Sequence, residues 1–309
     1  MVKAILLFSD GLDSLLAGLM LKKQGIEVIP LKLITPFFGW TYKKHPEKFF
    51  EKIKSLGFKE GYLQDITQRF LSVLKKPRYG YGSYANPCID CKILMLKCAK
   101  EFMDKTGADF IATGEVVGQR PMSQNKPALE LIEKQAEVSG KVLRPLSAKL
   151  LPPTLPEIKG LVNREELLDI KGRKRNLQIE LAKNFGIKEI PPVSGGCLLT
   201  DPQIGSRVLR VLKENRPLTP VTAEILTLGR HFFEENLWIV LGRHQEENLH
   251  LENLASGNYR IFKLNFPSPT AILIQGNPPI DYIKNLLMRY SKKARQALER
   301  GEMVECIES

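Results

Sequence analysis

The chain opens on an apolar run, Val2 to Phe8, interrupted only by Lys3. A run of this length bounded by small polar residues reads as a strand buried on both faces of a parallel sheet. After the polar turn Ser9-Asp10-Gly11, apolar positions recur at helical spacing over Leu12 to Lys23. The alternation continues with a strand at Glu27 to Ile34, a helix at Pro46 to Leu56 and a strand near Gly61 to Gln64. Helices at Ile66 to Leu74 and Ile89 to Thr106 and a strand at Asp109 to Thr113 follow. Strands alternating with helices in this way predict an α/β fold with a doubly wound parallel sheet. From Gly140 the pattern loosens, with Pro145, Pro152, Pro153 and Pro156 marking loops, and helical periodicity returns at Arg164 to Gly172 and Lys174 to Phe185. Beyond Asp201-Pro202 the rhythm changes. Strands at Trp238 to Leu241, Tyr259 to Lys263 and Thr270 to Gln275, then one basic helix from Ile280, predict a second, smaller α+β domain. The expected domains are therefore 1–202 and 203–309, as a chain of 309 residues at roughly 150 per domain would suggest.

Charge narrows the partner class. A net charge of +12 asks for an anionic partner such as nucleic acid, although a thermophile's Lys- and Glu-rich surface gives a similar balance. No apolar run reaches the roughly 18 residues that span a membrane, and the first residues lack the order of a signal peptide. The expected location is the cytoplasm, with no membrane partner. Five cysteines, an odd number, argue against a disulfide scaffold and for metal or thiol chemistry.

The turn Ser9-Asp10-Gly11-Leu12-Asp13-Ser14 sits where a parallel strand hands over to a helix, whose first N–H groups attract anions. Gly11 lets backbone come close, the Ser9 and Ser14 hydroxyls can address phosphate oxygens, and the Asp13 carboxylate can address Mg2+. The segment resembles the PP-loop of ATP pyrophosphatases, the adenine nucleotide alpha hydrolase-like fold, which has two glycines after the first serine. Asp10 stands where the first glycine is expected and adds a negative charge beside the pyrophosphate position. The resemblance implies that Ser9, Gly11, Asp13 and Ser14 hold ATP.

Cys88 and Cys91 form a CxxC at the start of the helix ending at Thr106, where the helix dipole favours thiolates. Cys197 follows a glycine pair in Ser-Gly-Gly-Cys-Leu-Leu-Thr-Asp and is far away in sequence. Three thiols suit a [4Fe–4S] cluster with one open iron that holds a sulfide; the competing chemistry is a cysteine persulfide resolved through a disulfide. Cys98, seven residues after Cys91, reads as core, and Cys306 has no evident partner.

The loop Ala112 to Asn125 opens at the carboxyl end of its strand, where open parallel sheets bind ligands. Its Thr-Gly-Glu, Gly-Gln and Ser-Gln pairs, the downstream Leu143-Arg144-Pro145-Leu146 and the later Glu165-Glu166-Leu167 resemble tRNA 4-thiouridine synthetases. That resemblance implies that Gly114, Glu115, Gln119 and Ser123 line the ATP and uridine pocket. The Asn-Pro-Cys segment with a distant cysteine is also similar to tRNA 2-thiouridylases, and the cysteine triplet resembles the iron–sulfur branch of PP-loop thiolases. The amino-terminal RNA-binding extension usual in 4-thiouridine synthetases is expected to be absent.

RNA would then be held elsewhere. Leu228 to Leu251 resembles the RNA-binding module of NFACT-type proteins, with Arg230 and Arg243 for phosphate and Phe232, Phe233 and Trp238 for bases. Lys75, Lys76 and Arg78 run directly towards Cys88 and could bring RNA to the donor, and Lys284, Arg289, Lys292, Lys293, Arg295 and Arg300 give the final helix a basic face. The expectation is an ATP-dependent tRNA sulfurtransferase that adenylates a uridine carbonyl oxygen and replaces it with sulfur, giving 4-thiouridine and releasing AMP and pyrophosphate. Its partners would be tRNA and a sulfur donor, either sulfide or a persulfide-carrying protein, with a homodimer left open. The alternatives are a persulfide-using 2-thiouridylase, a PP-loop amidotransferase or ligase on a small acid, and an RNA-binding protein without catalysis.

Overall fold

The computed structural model describes residues 1–187, 189–190 and 196–308. The chain divides into two compact units, Met1–Cys197 and Leu198–Ser309. The first holds strands β1 (Lys3–Leu7), β2 (Glu27–Ile34), β3 (Tyr62–Asp65), β4 (Phe110–Thr113) and β5 (Val142–Leu143). They pair in the order β3-β2-β1-β4-β5, all parallel, with Ile5 of β1 opposite Ile29 of β2 and Ile111 of β4. The chain builds outward from β1 to β3 and then returns to add β4 on the other side. The strand order therefore reverses between β1 and β4, and at such a switch point the loops leaving the two strands part to form a crevice.

Helices α1 (Leu12–Lys23), α2 (Thr41–Lys44), α3 (Pro46–Ser55), α4 (Thr67–Lys75), α5 (Cys88–Thr106), α6 (Lys126–Gln135), α7 (Leu155–Ile158) and α8 (Asn176–Asn184) join and cover the strands. α1 is apolar almost all round because it packs between Leu6, Phe110 and Ala112 of the sheet and Ala182 of α8. The helix expected over Arg164 to Gly172 is only a 3-10 turn at Arg164–Glu166. Beyond it the backbone pairs with a neighbouring segment instead of with itself: Leu168 N–H donates to the Pro145 carbonyl at 3.0 Å and Ile170 N–H to the Leu146 carbonyl at 2.8 Å.

The second unit carries α9 (Pro202–Lys213), α10 (Pro220–Ile225), β6 (Arg230–Glu234), β7 (Leu237–Leu241) and α11 (Gln245–Ala255), followed by β8 (Arg260–Leu264), β9 (Ala271–Gln275), α12 (Ile280–Tyr290), α13 (Lys292–Glu299) and β10 (Cys306–Glu308). Its strands form an antiparallel sheet in the order β10-β8-β9-β7-β6. Ile239, Leu241, Phe262 and Leu273 of the sheet bury against Ile283, Leu286 and Leu287 of α12. The single basic helix expected from Ile280 is two helices. Ser291 separates them, its hydroxyl donating to the Pro267 carbonyl at 2.7 Å and accepting the Ala294 N–H at 3.0 Å, which caps α13. Among the described residues no helix is long and apolar enough to cross a membrane.

Candidate active site

β1 ends at Leu7 and α1 begins at Leu12, so Ser9, Asp10 and Gly11 make the connection. Gly11 is the N-cap of α1 and offers no side chain, which leaves the first N–H groups of the helix without a side-chain cap. The loop is braced from inside: Ser14 Oγ accepts from Ser9 N–H at 3.2 Å and from Ser9 Oγ at 3.1 Å, and donates to the Gly11 carbonyl at 2.9 Å.

Asp10 takes the left-handed conformation, φ 76°. That backbone costs a side-chain-bearing residue on the order of 1–3 kcal/mol, the reason a glycine suits the position. Partners hold it there: Tyr42 of α2 donates to its Oδ2 at 2.6 Å, and Lys52 of α3 pairs with its Oδ1. Beneath the loop, Lys32 of β2 is 5% exposed and donates to the Ser9 carbonyl at 2.7 Å. Burial, aided by the Lys52 charge and opposed by Asp10, lowers its pKa to about 8. The extra negative charge anticipated at Asp10 is thus met by two cations and a phenol, none of which the sequence pattern singled out.

The loop after β4 forms the second wall. A Cβ on Gly114 would lie 2.3 Å from Ser14 N and 2.4 Å from Asp13 C, so only glycine permits this approach of the two loops. Gln119 Nε2 donates to Asp13 Oδ2 at 2.9 Å, while Asp13 Oδ1 is buried without a hydrogen-bond partner. An unmatched carboxylate oxygen beside uncapped N–H groups suits a magnesium ion carried by a polyphosphate. Ser123 is fully buried and its Oγ likewise has no partner.

Glu115 belongs to a charge network built around the buried Arg144. Lys92 of α5 pairs with its Oε1, Arg144 Nε donates to its Oε2 at 3.0 Å, and Arg144 Nη1 donates to Glu133 at 2.5 Å. Burial opposes the charge on Glu115, yet Lys92 and Arg144 hold its pKa down to about 2. Lys92 directly follows Cys91, so this ion pair ties the cysteine helix to the β4 loop. Its position beside the CxxC was the only sequence signal for it.

Cys88 opens α5, and Cys91 lies within its first turn. Burial pushes the Cys91 thiol up, the charges of Cys197 and Cys88 push it further, and Lys92 opposes them. Cys197, remote in sequence, is therefore near enough to act on Cys91. Among the described residues, however, no group of three His, Cys, Asp or Glu is arranged to hold a metal ion. Ser194 and Gly195, part of the glycine-rich approach to Cys197, lie outside the described residues. Cys98 is fully buried.

The site thus consists of a nucleotide-type turn, a glutamate-bearing loop pressed against it and a CxxC helix tied to that loop. The family model described as thiamine biosynthesis protein (ThiI) matches residues 1–149. The match covers just under half of the 309 residues. A probable tRNA sulfurtransferase of Thermococcus kodakarensis is 25% identical over 191 residues, 61% of this chain and 45% of the relative. One from Acetivibrio thermocellus is 31% identical over 151 residues, 47% of this chain and 35% of the relative. The chain thus spans less than half the length of these relatives. Among solved structures, a 4-thiouridine synthetase–RNA complex with bound ATP aligns at 23% identity and a TM-score of 0.45, covering 73% of this chain and 53% of that one.

The ThiI match ends before the second unit, where the expected RNA contacts fare unequally. Arg243 is committed to Glu247, with Nη2 donating to Oε1 at 2.6 Å and its backbone N–H to Oε2 at 2.7 Å. Trp238 is fully buried and its Nε1 donates to His231 Nδ1 at 3.0 Å, so its ring cannot stack on a base. Arg230 stays partly exposed on β6, its guanidinium 5.1 Å from the Tyr290 ring. In the first unit, Lys75, Lys76 and Arg78 are exposed, and the Asp90 carboxylate accepts the Arg78 N–H at 2.9 Å, fixing their segment of chain beside the start of the cysteine helix.

Proposed function

We propose that the chain is an ATP-dependent tRNA sulfurtransferase that converts a uridine to 4-thiouridine. The observation that carries this reading is the continuous linkage from the nucleotide turn through Gln119 and Glu115 to Lys92 and the CxxC helix. It joins the turn to the helix that begins with the CxxC, a linkage that supports activation followed by sulfur delivery. The family match and the names of the relatives, both confined to part of the chain, favour the same chemistry.

In this mechanism the N-terminal N–H groups of α1, with Ser9 and Ser14, cradle the pyrophosphate of ATP. Asp13 Oδ1 would hold Mg2+, which screens the charge of the leaving pyrophosphate. The uridine carbonyl oxygen attacks the α-phosphorus, pyrophosphate departs, and the base carries AMP. Lys75, Lys76 and Arg78 hold the tRNA backbone near the thiols. A persulfide on Cys88 or Cys197, charged by a persulfide-carrying protein, attacks the activated carbon through its outer sulfur and expels AMP. A second thiol then takes the inner sulfur as a disulfide, releasing the thiolated base, and a thiol reductant restores both cysteines.

Cys197→Ala is expected to keep tRNA-dependent release of pyrophosphate and to lose thionucleoside below detection by mass spectrometry of digested tRNA. No tRNA-dependent pyrophosphate release by the unaltered chain would refute the proposal. Anaerobic purification with iron and sulfide analysis decides the carrier: iron bound by the unaltered chain and lost in Cys197→Ala would replace the persulfide with a cluster on the same cysteines.

Asp10→Gly should lower the KM for ATP by on the order of tenfold, because it removes an anion near the pyrophosphate, relieves the left-handed backbone and frees Lys52. Steady-state pyrophosphate release over an ATP titration measures it. A raised KM would show that the Asp10 cluster helps to bind the nucleotide.

A further inference from the structure

The second unit has an open cleft of about 510 Å3 lined by Arg207 and Arg210 of α9, Arg230 and Phe233 of β6, and Tyr290 at the end of α12. Its described lining contains no carboxylate. Arg230 and Arg207 form no ion pair among the described residues. Arg207 is fixed by backbone carbonyls, its Nη2 donating to Gly229 at 3.2 Å, and Arg210 shares Glu214 with Arg216. Positive charge is therefore concentrated on the lining, while the carboxylates that act on these arginines, Asp201 and Glu247 on Arg207 and Glu214 on Arg210, lie outside it.

The rings sit beside these guanidiniums. Arg210 lies 4.9 Å from the centre of Phe233 and Arg230 lies 5.1 Å from that of Tyr290. His231 adds a neutral wall. Burial and the Arg207 charge hold its pKa down to about 3, and its Nδ1 accepts from Trp238. A ligand suited to this cleft combines phosphate for the arginines with a flat π-face for the rings, and the volume suits single nucleotides, not a duplex.

We propose that this cleft binds a single-stranded segment of RNA, with phosphate on Arg207 and Arg230 and a base stacked on the Arg230–Tyr290 layer. The choice of RNA rests on the tRNA-thiolation reading; the cleft itself does not. The test is fluorescence anisotropy of the full chain with a labelled single-stranded oligoribonucleotide and with a tRNA transcript.

Arg230→Ala and Tyr290→Ala should each weaken oligonucleotide binding about tenfold. Tyr290→Phe, which keeps the ring, should bind as the unaltered chain does, and so should Arg260→Ala, whose guanidinium pairs with Glu308 outside the cleft. Arg230→Ala should also flatten the dependence of log K on log salt by about 0.7. Unchanged affinity in both alanine variants, or no oligonucleotide binding by the unaltered chain, overturns the cleft and leaves the thiolation reading standing. Binding lost in both variants while the unaltered chain makes no thionucleoside supports the cleft and removes the thiolation reading.

Discussion

Replacing Gly114 by alanine is expected to stop tRNA-dependent pyrophosphate release and to lower the melting temperature as well. The added Cβ would lie 2.3 Å from Ser14 N, 2.4 Å from Asp13 C and 2.5 Å from Ser14 Cα. All three are backbone atoms, so no side-chain rotation relieves the overlap, and either the β4 loop or the first turn of α1 must move by about 1 Å to restore ordinary contact. Overpacking of this kind costs typically 1–3 kcal/mol of stability. The functional cost should be greater, because a displacement of about 1 Å of groups that position reactants can cost about a hundredfold in rate. The same shift would break the Gln119–Asp13 hydrogen bond that joins the two loops. Calorimetry and pyrophosphate release on the purified variant check both parts; a rate within a factor of two of the unaltered chain would show that the loops need not be this close.

Arg144→Met should cost about 3 kcal/mol of folding stability at neutral pH, because it leaves the partly buried Glu115 and Glu133 without their shared, fully buried cation. The pH dependence separates this from simple loss of packing. Glu115 has its folded pKa held down to about 2 from an ordinary value of 4.5, so its contribution is fully present above about pH 4.5 and is lost as the pH falls towards 2. In the variant that contribution is reduced, since only Lys92 remains as its ion-pair partner. The stability gap between the two proteins should therefore be wide at pH 7 and narrow as the solution is acidified through pH 4. Urea unfolding at both pH values measures it. A gap under about 1 kcal/mol at pH 7 would mean that the network is not carrying the fold.

The parallel α/β half was legible because buried strands and helices leave periodic apolar patterns: Val2 to Phe8 and Leu12 to Lys23 could be read almost to the residue. α2, α6, α7, α9, α10, α11, β5, β6 and β10 were not read. β6, Arg230–Glu234, is partly exposed along most of its length and so shows no alternation, and β10 is three residues long. The segment Arg164 to Gly172 has helical spacing, yet its backbone donors are taken by the Pro145–Leu146 carbonyls. Periodicity reports which face is apolar and is silent about where a hydrogen bond finds its partner.

The candidate site divides along the same line. Local order along the chain was sufficient for a phosphate-type turn at Ser9 to Ser14, a CxxC at the head of a helix and an irregularity at Asp10, because each depends on neighbours within a few residues. The cations that balance Asp10, the Lys92–Glu115–Arg144–Glu133 network, the withdrawal of Arg243 into Glu247 and the burial of Trp238 could not be read that way. Each joins side chains from different elements, or reflects packing by several of them, and burial decides whether a charge faces water, a counterion or a ligand. Folding settles that choice by desolvation, which depends on everything packed around a group and has no signature in the order of residues beside it.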